Sequence, residues 1–129
     1  TYRAAKVPRA LACRVRMVHS HPPQGDPPEI TAYADHFLRG APAPLRVTGQ
    51  GREDRQVWAE FAGEAVRAEL CYTTATGNWE KRHWEQAPAV IAGNRASATL
   101  PEDTTVYFLN LIDGQDRIAS SEHEELPAK

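Results

Sequence analysis

The chain has 129 residues, 25% of them charged and 41% hydrophobic, with a formal net charge of −2. That length suits one domain, or one small domain with an added arm. The charge balance gives no electrostatic case for nucleic acid or an anionic membrane surface, and no apolar run reaches the ~20 residues of a membrane span.

Residues 1–8 carry no clear period. From Ala10 the pattern alternates: Leu11, Cys13, Val15 and Met17 point one way, Arg14 and Arg16 the other, which predicts a half-buried strand. A Pro/Gly loop holding His19 and His21 follows, and then a helix. Asp26 can cap its first turn, Pro27 suits N1, and Glu29 completes a D-x-x-E variant of the capping box. Ile30, Tyr33, Ala34, Phe37 and Leu38 repeat as one apolar stripe, and Gly40 supplies the stop. One strand and one helix cannot bury each other fully. Leu11, Val15, Ile30 and Phe37 therefore require a sheet elsewhere or the face of another domain.

Ala41-Pro42-Ala43-Pro44 reads as a stiff connector, and we place a boundary there: an arm over 1–41 and a second unit over 42–129. Beyond it the texture changes to short alternating runs between turn signals, which predicts a mainly β chain folded as a β-sandwich. A first strand is expected at 45–48, with a turn at Gly49-Gln50-Gly51. The next runs are 56–61, with Val57, Ala59 and Phe61 on one face and Trp58 and Glu60 on the other, and 66–72. Thr76-Gly77-Asn78 is a turn, and 79–84 reads as an edge strand or long loop. Short runs follow at Val90-Ile91 and at Ala96, Ala98 and Leu100. Residues 104–111 are apolar on both faces, as in a central strand. Asp113-Gly114 turns the chain into 117–122, and the tail from Glu124 reads as frayed. The acidic clusters Glu102-Asp103 and Glu122, Glu124, Glu125 read as solvated loop charges.

Two stretches resemble known families. The run M-V-H-S-H-P-P…P-P-E-I-T-A-Y-A-D, over roughly the first third of the chain, resembles the end of bacterial α/β-hydrolases of the acetyl xylan esterase and acyl-esterase kind. There the catalytic histidine sits on the loop after the last strand and a helix closes the sheet. The resemblance implies His21, or alternatively His19, as general base of a serine hydrolase, acting only with an upstream domain. No G-x-S-x-G nucleophile elbow stands in this chain, and without serine and acid a histidine carries no triad chemistry. The run Leu100-Pro101-Glu102-Asp103-Thr104-Thr105-Val106-Tyr107 resembles the E–F corner of fibronectin type III domains, where a Tyr hydroxyl bonds back across the corner. The expected fold is thus an immunoglobulin or fibronectin III-like sandwich with an N-terminal strand–loop–helix arm.

The remaining candidates are a set of aromatics and a metal reading. Trp58, Trp79 and Trp84, with Tyr72 and Tyr107, either stack on carbohydrate or fill the core and dock a neighbouring domain. Trp79 and Trp84 lie five apart, which places them on opposite faces of a straight strand. The stretch 70–84 resembles a sandwich appendage found after some of these bacterial esterases. The pair His19 and His21, with Asp26 or His36, offers fewer ligands than a secure zinc pattern, so no metal and no cofactor is expected. Cys13 and Cys71 read as buried free thiols, with pairing in an oxidising compartment left open. The chain starts at Thr1 without Met and shows no signal-peptide pattern, so a fragment is expected. Cytoplasm, periplasm and secretion all stay open. Two functions remain: the accessory region of an esterase-like hydrolase, inactive alone, or a stand-alone sandwich binding carbohydrate or a protein partner.

Overall fold

The computed structural model describes residues 3–4, 6–7, 9–15 and 28–127. Their elements are a helix α1 (Pro28–Arg39) and strands β1 (Arg46–Glu53), β2 (Gln56–Ala62), β3 (Arg67–Thr73), β4 (Glu85–Ala92), β5 (Arg95–Thr99), β6 (Val106–Ile112), β7 (Ile118–Ser120) and β8 (Glu124–Glu125). The strands pair antiparallel in the order β1-β2-β5-β4-β3-β6-β7, with β8 also on β6. β4 changes layer along its length. Residues 85–89 pair with β3 and 90–92 with β5. The result is two sheets, β1-β2-β5 and β3-β6-β7, folded over one another and joined through β4 into a nearly closed barrel. The expected mainly β sandwich is the fold of this chain. Pro88 falls on the stretch of β4 paired with β3 alone, where a missing N–H costs no ladder bond.

The core lies between the sheets. Val57, Ala59 and Phe61 of β2 and Ala96 of β5 meet Leu70 of β3 and Leu109 and Leu111 of β6. The alternation in β2 holds as read: Trp58 and Glu60 stay outside while their neighbours are buried. All of β6 is buried. Its inward residues face the other sheet, and its outward residues are covered from elsewhere. Trp84 packs on Phe108 with ring centroids 5.6 Å apart, and Asn110 donates from Nδ2 to the Cys13 carbonyl at 2.9 Å. A strand apolar on both faces therefore marks a second covering layer here, made by a loop and by the arm.

Several boundaries differ from the sequence reading, each for a local reason. β1 does not turn at 49–51. It runs on through both glycines to Glu53, and the turn falls at 54–55, with Asp54 at φ 54°. Gly51 opposes Trp58, whose indole covers the bare backbone. In the loop after β6 the left-handed residue is Asp116 (φ 63°), not Gly114. The Asp113 carboxylate organises that loop by accepting from the N–H groups of Gln115 and Arg117 at 2.9 and 3.0 Å and from Arg117 Nε at 2.8 Å. Of the two readings of 79–84 the loop holds, not the edge strand, and Trp79–Lys81 forms one 3₁₀ turn within it. The tail is not frayed at Glu124, because β8 pairs with β6 and Leu126 packs against the core.

The N-terminal strand is a correction too. Residues 9–14 are irregular and Val15 lies in a turn, none of them in a strand. Alternation there reflects an extended segment lying on the sandwich rather than a ladder. The Leu11 carbonyl accepts from Ser120 N at 2.8 Å, and Cys13 N donates to Ser120 Oγ at 2.7 Å. The helix is where the stripe predicts it, but Asp26 and Pro27 lie outside the described residues. Glu29, read as the far member of a capping box, reaches across to β7 and to the preceding segment. Its Oε1 accepts from Ile118 N at 2.7 Å and from Arg14 Nη2. The two outward N–H groups of β7, at Ile118 and Ser120, are thus both satisfied by the arm, which covers a strand edge that would otherwise invite pairing.

Candidate functional site

The predicted catalytic histidines, His19 and His21, lie outside the described residues, so the structure does not place them. What it places is the chain on either side of them. Leu11 and Cys13 are fixed to Ser120 and Asn110, and Arg14 and Glu29 are joined to each other and to β7. His36, considered as a further metal ligand, instead donates from Nδ1 to the Ala41 carbonyl at 2.8 Å and packs against Phe37. Among the described residues no group of three or more His, Cys, Asp or Glu side chains is placed to hold a metal ion. No helix among them is long and apolar enough to cross a membrane.

Both cysteines are free. Burial pushes the Cys71 thiol up to about 12, helped by the nearby Glu69 and Cys13. Burial raises Cys13 as well, against a bond with Ser120 that lowers it. Neither is a thiolate nucleophile at neutral pH. Cys71 Sγ instead accepts weakly from Asn110 Nδ2 at 3.5 Å.

Of the three tryptophans, two come together and one stands apart. Trp58 lies on the outer face of β2, between Gly51 and the Arg95 guanidinium, which sits 5.2 Å from the ring centroid. It belongs neither to the core nor to a shared aromatic platform. Trp79 and Trp84 meet at the other sheet, with centroids 5.8 Å apart. The 3₁₀ turn bends the chain between them, which removes the opposite-face objection from strand geometry. The His123 ring meets Trp79 edge-on at 5.3 Å, and Arg82 stacks over Trp79 at 5.1 Å. Arg82 is held there by two bonds from its guanidinium to the Gly77 carbonyl, at 3.1 and 2.9 Å.

These rings border a cavity of about 320 Å³, which Phe108, Leu11 and Cys13 line with them and Arg3, Glu122 and His123 close at the rim. The rim is fixed from several sides. Arg3 Nε donates to Glu122 Oε2 and Arg3 Nη2 to the His123 carbonyl, both at 2.7 Å. Gln50 of β1 bonds the main chain of Glu122 at both its N–H and its carbonyl. The sequence reading missed His123, Phe108, Arg82 and Glu122. They reach the tryptophans only through the fold, and no local period announces them.

A larger cavity of about 480 Å³ separates α1 from the sandwich, lined on one side by Glu29, Ala32 and Tyr33 and on the other by Leu45, Val47 and Ile118. Glu29 Oε2 and the Tyr33 hydroxyl are buried there with no hydrogen-bond partner. On the helix surface Ile30 is 59%, Phe37 52% and Leu38 82% exposed.

The fold and these two features define a β-sandwich protein with a clamped N-terminal arm and an aromatic cavity. No family model, curated protein or solved structure matches the chain.

Proposed function

We propose that the chain is the C-terminal accessory region of an esterase-like serine hydrolase, supplying the histidine loop and a docking sandwich, and not competent in catalysis by itself. The observation that carries this reading is the surface of α1. Three large apolar residues of one short helix, Ile30, Phe37 and Leu38, are exposed, Ile30 at the cavity beside the sandwich, while Glu29 ties the same helix to β7. A short helix draws its stability from packing an apolar face, and an exposed contiguous apolar patch marks an interaction surface. A catalytic domain with an α/β sheet offers the apolar cover that this stripe lacks. In that setting His21, or His19, takes the proton of a serine supplied by the other domain and returns it to the leaving alcohol.

The test has two arms. The 129-residue chain shows no saturable hydrolysis of an aryl acetate above a His21→Ala control. The native protein, detected with an antibody to this chain, is longer by a few hundred residues and hydrolyses the ester, and His21→Ala abolishes that activity. Loss with His19→Ala instead moves the assignment to the other histidine. A native protein no longer than this chain, without activity, overturns the reading.

The second reading is an independent binding module for carbohydrate or a protein partner. It is favoured by the meeting of Trp79 and Trp84 beside a cavity.

A further inference from the structure

We infer that the cavity bordered by Trp79, Trp84 and His123 is a binding subsite for a neutral pyranose unit of an oligosaccharide. The inference uses only the described residues of the sandwich and the arm beside it. It stands whether this chain is an appendage of a hydrolase or a module by itself.

The chemistry of the lining points to that ligand. Indole and phenyl rings, from Trp79, Trp84 and Phe108, give an apolar wall in about 320 Å³, the small end of the range for ligand pockets. Trp79 is 43% exposed, although Arg82 and His123 already hold its ring in place. A stacking surface held rigid by its neighbours loses little conformational freedom on binding. The polar groups sit at the rim, where Glu122, Arg3 and His123 can meet hydroxyls. A molecule with one apolar face and a hydroxyl perimeter matches this arrangement, and a sugar ring in its chair form is such a molecule.

The charge argues for a neutral sugar over a uronate. The rim cation Arg3 is already paired with Glu122 at 2.7 Å, so its charge is offset and an incoming carboxylate would also meet that of Glu122. A protein partner fits less well. The opening is a small cavity with a fixed polar rim, not an extended apolar face, and the exposed stripe of α1 is the better surface for a domain.

The experiment is a titration of the purified chain with neutral xylo-, cello- and manno-oligosaccharides and with an oligogalacturonate, read by tryptophan fluorescence and by ligand-observed NMR. Binding of at least one neutral series is expected, with protection of one ring face, and at least a tenfold loss of affinity in Trp79→Ala. Trp79→Phe should retain part of the affinity, which separates lost stacking from lost folding. Trp58→Phe, on the opposite sheet, should bind as the parent does. Absence of binding to every neutral series overturns the inference. So does binding that Trp79→Ala leaves intact, or a preference for the oligogalacturonate. If a protein partner is captured instead, and its binding is lost in Trp79→Ala while no sugar competes, the cavity is a docking site and the inference fails.

Discussion

Glu124 sits between two donors. Tyr107 donates its hydroxyl to Oε2 at 2.6 Å, and Arg52 donates from Nε to Oε1 at 3.0 Å. The sequence read Tyr107 as a corner tyrosine, but its phenol reaches a carboxylate on β8, and the corner is closed by Thr104 Oγ1 on the Pro101 carbonyl at 2.8 Å. Tyr107→Phe should lower stability by about 1–2 kcal/mol, because the bond is to a charged group at a buried site. Its measurable sign is a lower denaturation midpoint at unchanged slope. Burial would raise the pKa of Glu124, but the bonds from Tyr107 and Arg52 outweigh it and lower it below the usual 4.5. Asp113 behaves alike: burial raises it, and the bonds from Arg117 and Gln115 take it below 3.8. Carboxylates whose folded pKa is depressed contribute stability above their unfolded pKa and lose it as pH falls through the folded value. The midpoint should therefore hold steady down to about pH 5 and fall below that, and Glu124→Gln should flatten part of the acid limb. A third residue-scale test concerns Gly51. A Cβ there would come within 2.4 Å of Trp58 Cζ2. Gly51→Ala should cost about 1–3 kcal/mol through that overlap. Added to Trp58→Ala it should cost much less, since the obstructing ring is gone. Additive effects would place the strain elsewhere.

At the scale of elements, the helix and the strands with a clean period were legible. α1 announced itself through its stripe, β2 through strict alternation, and β6 through its double-sided apolar run. The same signals failed where structure depends on contacts distant in sequence. Glycines read as a turn stayed in β1 because Trp58 lies across them. The two-residue β8 has too few residues to show a period. The aromatic cavity was half legible: Trp79 and Trp84 stood out as candidates, but their meeting depends on a 3₁₀ turn, and His123 arrives from the end of the chain. How α1 sits could not be read, since its contact with β7 runs through one carboxylate. That contact yields a prediction. The buried Tyr33 hydroxyl has no partner, so Tyr33→Phe should leave stability unchanged or raise it slightly. Glu29→Ala should speed amide exchange at Ile118, whose N–H loses its acceptor, while Leu109 in the core keeps its protection. Equal exchange at Ile118 in both proteins would show that this clamp is not closed in solution.

For the whole molecule, the question is whether the arm over 1–41 is part of the folding unit. The core residues Val57, Phe61, Leu70, Leu109 and Leu111 all belong to the sandwich, and so do the hydrophobic residues packed against them among the described residues. The arm's described segments before the helix are held to the sandwich by the bonds of Arg3, Leu11, Cys13 and Arg14. Each is worth about 1 kcal/mol net, whereas fixing the backbone of each arm residue costs about 1–2 kcal/mol. Those bonds alone do not order the arm, and Ile30, Phe37 and Leu38, which could add burial, are exposed. Removing residues 1–41 should therefore leave a cooperative β-type melt, with a midpoint lowered only modestly. The clearer consequence lies at the edge. Ile118 and Ser120 lose the acceptors that cover their N–H groups, so the truncated protein should self-associate in a concentration-dependent way that light scattering detects. An unfolded product would make the arm an integral part of the core. A monomeric product with the parent's midpoint would show that the clamp on β7 contributes nothing to stability and does not guard the edge in water.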